Sequence, residues 1–187
     1  MGTLPTQAWA HRAGGVVLGP LAPADWSPRA LADRAQIADA FYRFGIAHDE
    51  ALVDVLATCF TADARFEVID ASSGNTEPFV VAHGRAQIAA RLGATIAEQA
   101  DQRRHLIGNV VVDVLTGTTA TALAYGVVTV AADGLILGAS VLYSAELARE
   151  TDGVWRFSRF RIGMDHYAGP KPRSGEGPPP QPGPTPR

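Results

Sequence analysis

Apolar residues recur at helical spacing in the first half of the chain. Ser27 followed by Pro28 predicts the start of a helix, because serine caps helix amino termini and proline favours the first helical position. Apolar positions spaced at three and four residues extend this helix and indicate two more. The stripe of the first helix consists of Leu31, Ala35, Ala38, Phe41 and Gly45, with Ile37 and Phe44 beside it. The three predicted helices cover residues 28–47, 50–59 and 85–100.

Alternating apolar and polar residues predict strands, and most of these strands fall in the second half of the chain. Short connections that contain glycine and aspartate favour antiparallel hairpins between the last four strands. Helices come first and a long meander of strands comes last, so the sequence predicts an α+β fold rather than alternating α/β units. The predicted strands cover residues 64–69, 78–83, 105–115, 118–132, 135–149 and 154–162.

The late strands carry apolar residues on both faces. In the strand that begins at His105, the even positions from Leu106 to Val114 are apolar apart from a glycine, and the odd positions include Ile107 and Val111. A sheet that is apolar on both faces needs cover on both. Helices can cover one face and a second subunit the other, so we expect a homodimer.

Proline positions divide the chain into three parts. Eight of the 13 prolines lie in residues 169–187, a segment with no apolar side chain to bury apart from proline itself, so we predict a disordered tail. Residues 1–26 contain an apolar run diluted by glycine and proline, which faintly resembles a signal peptide. We interpret this segment as the extension of a cytoplasmic protein. The predicted domain covers residues 27–168.

Composition narrows the classes of protein that fit. The net charge of −3 gives no sign of a nucleic-acid partner. The lone Cys59 excludes an intrachain disulfide framework and a metal site built from several thiolates. The sequence contains no stretch near the roughly 20 apolar residues of a membrane helix, so we expect no membrane partner.

Two residues stand out as candidates for acid–base chemistry. His105 opens an apolar strand, where the alternatives are a solvated histidine and a buried histidine bound to a backbone carbonyl. Asp49 directly precedes the predicted second helix, where aspartate is a preferred amino-terminal cap. A carboxylate that faces an imidazole can orient the ring and stabilise its protonated form, which gives a general acid–base pair. Spacing along the chain does not bring the two residues together.

Polar side chains within the apolar segments are candidates for substrate binding. Asn109, Tyr125, Tyr143 and Ser144 can donate hydrogen bonds to a carbonyl or enolate oxygen, and Tyr42 near the end of the first helix can join them. The alternative for each tyrosine is a core position with a locally bonded hydroxyl group.

Several motifs of cofactor and metal chemistry are absent from the sequence. It contains no glycine-rich dinucleotide fingerprint, no phosphate-binding loop and no Gly-x-Ser-x-Gly nucleophile turn. His48, His83, His105 and His166 lack the spacing of metal ligands. We therefore expect a mechanism without a cofactor and no metal site.

Four motifs follow one another along the chain. They are the run from Asp33 to Phe66, His83-Gly84-Arg85, Arg104-His105, and Tyr143 followed by Asp152-Gly153-Val154-Trp155. Together they cover about residues 30–163, and in this order they resemble the SnoaL-like domains of the nuclear transport factor 2-like superfamily.

The resemblance implies a cone-shaped α+β barrel, in which a curved, mostly antiparallel sheet surrounds a pocket closed by amino-terminal helices. The Arg104-His105 pair is similar to the scytalone dehydratase branch, which implies that Asp49 and His105 face each other in the pocket. That branch also uses a second pocket histidine on the following strand. In this sequence Tyr125 is the nearest polar aromatic residue there, and Ser144 falls near the branch's pocket asparagine.

These expectations combine into a hypothesis about function. We expect a cofactor-independent enzyme in which His105, oriented by Asp49, moves a proton next to the carbonyl of a hydrophobic, polyketide- or terpenoid-like molecule of secondary metabolism. Tyr125, Tyr143 or Asn109 would stabilise the oxyanion, and the outcome would be dehydration, isomerisation or cyclisation. Two alternatives stay open: a non-catalytic ligand- or protein-binding module, and the small subunit of a ring-hydroxylating oxygenase.

Overall fold

The computed structural model describes residues 9–131 and 133–167, which form one six-stranded sheet, four α-helices and a 3₁₀ helix at Ala71–Ser73. The predicted α+β class is confirmed. The helices are α1 (Trp9–Arg12), α2 (Pro28–Asp49), α3 (Val53–Thr58) and α4 (Arg85–Ala97). The strands are β1 (Phe60–Asp70), β2 (Val80–His83), β3 (Gln102–Leu115), β4 (Thr119–Ala131), β5 (Leu135–Arg149) and β6 (Trp155–Tyr167).

The sheet has the strand order β2-β1-β6-β5-β4-β3, so β3 is an edge strand. β1 and β6 run parallel, and all other neighbours are antiparallel. The predicted cap is present, because the Ser27 hydroxyl accepts a hydrogen bond from the backbone N–H of Ala30. Among the described residues, no helix combines the length and the apolar character needed to cross a membrane.

The helix α2 lies against one face of the sheet, called the inner face here. Its Phe41 and Phe44 rings pack on Phe160, with the Phe44 and Phe160 centroids 4.9 Å apart. Tyr143 stacks on the same Phe160 ring at 5.4 Å. Leu31 is half exposed, so the buried stripe of the helix is rotated from the predicted one and is centred on the phenylalanines.

Residues 9–19, called the N-terminal strap here, cross the opposite, outer face of the sheet. The backbone N–H of Val16 donates to the Ser144 hydroxyl at 2.8 Å. Further along, the backbone N–H of Gly19 donates to Asp113 on β3 at 2.9 Å. Part of the segment predicted as an extension, residues 9–19, therefore packs on the domain.

Trp9 anchors the strap in a slot on the outer face. It is 2% exposed and packs in a small apolar cluster with Ile69 and Leu142. Gly163 forms the floor of the slot, because a Cβ atom at that position would overlap the indole ring. A glycine is therefore required where the strap crosses β6.

A buried charge cluster also holds the strap. Glu67 is 1% exposed and accepts hydrogen bonds from Arg159 at 2.9 Å and Arg161 at 2.7 Å, while Arg65 lies 2.9 Å away. Arg161 in turn donates to the carbonyl of Ala13 in the strap. The strap is thus tied to β1 and β6 by charge as well as by apolar packing.

The strap covers part of the outer face that the sequence assigned to a second subunit. Leu106, Tyr125 and Val127 stay exposed on β3 and β4. The homodimer stays a prediction, now restricted to that end of the face. The predicted disordered tail, residues 169–187, lies outside the described residues.

Candidate active site

The last turn of α2 meets the edge strand β3 at Asp49 and His105. The Asp49 carboxylate makes two hydrogen bonds to the same residue. Its Oδ1 lies 2.5 Å from the ring Nδ1 of His105, and its Oδ2 accepts the backbone N–H of His105 at 2.7 Å. The structure therefore brings the two acid–base candidates together, although 56 positions separate them in the sequence.

The hydrogen bond to Nδ1 determines which ring nitrogen of His105 can act as a base. An ionised carboxylate only accepts hydrogen bonds, so the neutral ring carries its proton on Nδ1 and leaves Nε2 as the basic nitrogen. The Asp49 side chain is 5% exposed and the His105 side chain 12%. Both members of the pair are thus largely buried, and His105 is the more exposed of the two.

The end of α2 sets the direction of the Asp49 side chain. The backbone N–H of Leu52 donates to the carbonyl of Ala47 at 2.8 Å, and that of Ala51 donates to the carbonyl of His48 at 3.3 Å. With Ala51 at φ 55°, this is a Schellman motif whose left-handed residue is alanine rather than the usual glycine. The helix therefore stops directly after Asp49.

Asp49 is not an amino-terminal cap, which is the alternative that the sequence left open. The next helix begins at Val53, and its cap position is Leu52, which makes no side-chain capping bond. Asp49 instead belongs to the preceding helix, and both carboxylate oxygens are directed to β3.

Gly45 lets α2 approach β3 closely, one turn before Asp49. A Cβ atom at this position would lie 3.1 Å from the His105 Cβ and 3.1 Å from the Ile107 Cδ1. Two contacts tie the same helix end to the strand: Gln102 donates to the Asp49 carbonyl at 3.2 Å, and an Arg104–Glu50 ion pair spans 2.9 Å.

His48 is a third member of the site that the sequence did not predict. Its ring centroid lies 4.8 Å from that of His105, and its Nδ1 lies 4.0 Å from Asp49 Oδ1. This nitrogen is buried and has no hydrogen-bond partner. Burial and then the neighbouring His105 lower the pKa of His48 to about 4, so the ring is neutral near pH 7.

A signal for His48 was present in the sequence. It lies four residues after Phe44 and seven after Phe41, so it continues the buried aromatic stripe of α2. A histidine on such a stripe faces the sheet. Metal-ligand spacing along the chain does not reveal His48, because its neighbour His105 lies on another element.

Tyr143 lies on the inner face, in the aromatic cluster beside the site. Burial and, secondarily, the Asp49 charge raise the pKa of Tyr143 above its ordinary value, so its hydroxyl stays protonated and can donate a hydrogen bond. Gly126 on the neighbouring strand makes room for the ring, because a Cβ there would lie 2.5 Å from the Tyr143 Cε2.

The structure does not bring the other substrate-binding candidates to the pair. Tyr125 and Ser144 lie on the outer face, where Tyr125 is 61% exposed and Ser144 is covered by the strap. Asn109 is exposed on a β-bulge with φ 51°, a left-handed conformation that asparagine tolerates well. Tyr42 is 43% exposed on α2.

The sequence matches a SnoaL-like domain family over residues 29–161, a range that contains both members of the pair. The chain belongs to this family. The match begins at the start of α2, so the strap lies before it. A search of curated proteins finds no significant match.

Solved structures of similar shape have an NTF2-like fold. An NTF2-like protein with a cystatin-like fold from Novosphingobium aromaticivorans is 26% identical, with 73% of this chain and 84% of that chain covered and a TM-score of 0.61. ActVI-ORFA from Streptomyces coelicolor is 24% identical, with 71% and 96% covered and a TM-score of 0.59. A protein assigned as the β subunit of an aromatic-ring-hydroxylating dioxygenase, from N. aromaticivorans, is 22% identical, with 74% and 92% covered and a TM-score of 0.64.

Proposed function

We propose that this SnoaL-like protein is a cofactor-independent enzyme that moves a proton next to the carbonyl group of a hydrophobic small molecule. The double hydrogen bond from His105 to the Asp49 carboxylate carries the proposal. A carboxylate buried against an imidazole in this way costs desolvation, and its benefit is a ring held in one orientation.

The free Nε2 of His105 is the atom that accepts the proton. When it does so, the ring becomes an imidazolium that donates from Nδ1 to Asp49, and the negative carboxylate stabilises the new charge. The same ring then returns the proton to a leaving hydroxyl group or to another carbon of the substrate. A positioned base of this kind contributes about 10²- to 10⁴-fold to the rate.

The surroundings of the pair favour an apolar substrate with one polar group. Phe44 and Val128 are buried on the inner face near His48 and His105. Tyr143 supplies a protonated hydroxyl that we assign to the developing oxyanion. Carbonyl compounds of the polyketide or terpenoid type have this combination, and their dehydration, isomerisation or cyclisation shares one proton-transfer step.

The proposed setting is secondary metabolism in the cytoplasm, with the chain acting as a homodimer. The exposed Leu106, Tyr125 and Val127 on the outer face support the dimer. This surface lies on the side of the sheet away from the acid–base pair, so a second copy there leaves the pair accessible.

A panel of hydrophobic β-hydroxyketones tests the proposal. Formation of the conjugated enone is followed by absorbance, and deuterium uptake at the α-carbon is followed by NMR in D₂O. We expect His105→Ala and Asp49→Asn each to lower the rate by about 10²- to 10⁴-fold. His83→Ala, which removes an exposed histidine on β2, serves as the control.

Wild-type rates in both variants would overturn the acid–base pair. If wild-type protein binds these ketones without exchanging their α-protons, the chain is a binding module instead. Circular dichroism of each variant establishes that it is folded.

A further inference from the structure

Three potential metal ligands converge where α2 meets β3. His48 and Asp49 come from the last turn of the helix, and His105 comes from the edge strand. One atom from each, a ring nitrogen or a carboxylate oxygen, lies within 4.8 Å of the other two. The three side chains are 9%, 5% and 12% exposed, so the whole cluster is largely buried.

The donor set matches the preferences of first-row divalent cations. Two imidazole nitrogens and one carboxylate oxygen bind zinc, with bond lengths of about 2.0–2.2 Å. Three protein ligands also leave a coordination position open for water. The sequence predicted no metal site because its histidines lack ligand spacing along the chain, whereas this set is completed by a residue from another element.

The unpartnered Nδ1 of His48 points to a ligand independently of the donor count. Buried polar atoms in proteins nearly always have a hydrogen-bond partner, and an unsatisfied one costs about 1–3 kcal/mol. His48 is 8% exposed, and its Nδ1 has no hydrogen-bond partner. The Asp49 Oδ1 atom lies 4.0 Å away, which is too far for a hydrogen bond. A cation held between the nitrogen and the carboxylate would satisfy it.

We propose that His48, Asp49 and His105 form a binding site for a zinc-type divalent cation. Zinc ligand atoms are about 3.3 Å apart in a tetrahedral site, as follows from the bond lengths. The distance between Asp49 Oδ1 and His105 Nδ1 must therefore increase from 2.5 Å. The distance between His48 Nδ1 and Asp49 Oδ1 must decrease from 4.0 Å. The second carboxylate oxygen keeps its bond to the backbone N–H of His105 during this change.

The cation takes the place of the proton between His105 and Asp49. Binding forms the metal–Nδ1 bond, breaks the N–H bond and releases that proton to solvent. The hydrogen bond that orients the ring is then gone, so bound metal inhibits proton transfer. This inhibition rests on the proposed function, whereas the binding itself does not.

Carboxylates offset part of the positive charge of two nearby arginines, although Arg103 still contributes to the lowered pKa of His48. Arg103 lies 2.8 Å from Asp101, and Arg104 lies 2.9 Å from Glu50.

Titration of the full chain with Co²⁺ and Zn²⁺ tests the site without a substrate. Co²⁺ bound by nitrogen and oxygen ligands in a tetrahedral site gives visible absorption bands, and Zn²⁺ should displace it with a stoichiometry of one. We expect His48→Phe and His105→Gln each to weaken Zn²⁺ binding at least about tenfold in calorimetry, because each removes one of three ligands. His48→Phe also removes the orphaned nitrogen, so it should fold at least as well as wild type.

His83→Ala is the matched control and should leave the binding unchanged. Nitrogen-15 NMR of the histidine rings in wild-type protein gives a readout that needs no variant, because Zn²⁺ should shift the Nδ1 signals of His48 and His105. Absence of the absorption bands would overturn the proposal. Binding that survives His48→Phe, or that is lost in His83→Ala, would overturn it as well.

The two proposals fail separately. Zinc binding together with full activity of His105→Ala would leave the metal site and remove the acid–base function. Loss of activity in His105→Ala, together with no zinc binding to wild-type protein, would leave the acid–base function and remove the metal site.

Discussion

The two faces of the sheet bury polar groups for different purposes. On the outer face, Glu67 keeps its charge because three arginines surround it. Burial alone would raise its pKa, but hydrogen bonds from Arg159, Arg161 and Arg65 outweigh burial and lower the pKa to about 2. The Glu67 carboxylate is thus held by three arginines, and Arg161 joins this cluster to the strap.

On the inner face, His48 is buried to a similar extent without a partner, and it loses its charge instead. Its neighbours Asp49 and His105 are paired with each other and not with it. The two buried groups differ in charge because the Glu67 carboxylate accepts hydrogen bonds from arginines, whereas His48 Nδ1 has no hydrogen-bond partner. Substitutions confined to one face of the sheet test this difference.

Trp9→Ala should have the largest effect on stability. Removal of a fully buried tryptophan typically costs about 3 kcal/mol or more, and here it empties the slot above Gly163. Urea denaturation measures the change. Trp26→Ala is the control, since Trp26 is 65% exposed and contacts only the Arg34 guanidinium among the ring contacts of the described residues. Equal costs for the two variants would show that the strap is not part of the core.

Glu67→Gln should cost about 2 kcal/mol at neutral pH, because it leaves the buried Arg161 without its carboxylate. The pKa of Glu67 is lower in the folded chain than in the unfolded chain, so its contribution is present above about pH 4.5 and is lost as the pH falls towards 2. The gap in unfolding free energy between wild type and variant should narrow across that window. Glu146→Gln, at a half-exposed position, should show no such narrowing.

Gly45→Ala should change stability least, by less than about 1 kcal/mol, because the higher helix propensity of alanine offsets the tight contact. Its effect should appear at the site, where the added Cβ pushes the helix away from His105. The NMR signal of the Nδ1 proton that His105 donates to Asp49 should shift or broaden. An unchanged signal would show that the pair tolerates a wider spacing between α2 and β3.

The sequence predicted the elements well because their signals are local. The helical spacing of apolar residues, the Ser27 cap and the glycine-containing hairpins each lie within a short window, although that spacing did not fix which face of α2 is buried. The pair of Asp49 and His105 followed from the resemblance and not from spacing. Its members come from a helix end and an edge strand, and only tertiary packing joins them.

The faces of the strands were predicted less well. Tyr143 and Ser144 are adjacent on one strand, so they point to opposite faces and cannot share a pocket. The face on which Tyr125 lies can be assigned only from the strand register. Tyr125 pairs with Leu142, which lies on the same face as Ser144 and on the opposite face from Tyr143. The strap was missed for a different reason: its contacts with Ser144 and Asp113 span 128 and 94 positions.

The attachment of the strap also constrains the order in which the molecule assembles. Ala13 is made early and Arg161 late, and they are 148 positions apart. The strap therefore has no docking surface until β6 has been synthesised and has joined the sheet. Contacts between distant positions form slowly, since a long loop must close first. During that interval the apolar side chains of Ile69 and Leu142 are not covered by Trp9. A bulky amino-terminal fusion that holds the strap away would leave the same two side chains uncovered in the finished sheet.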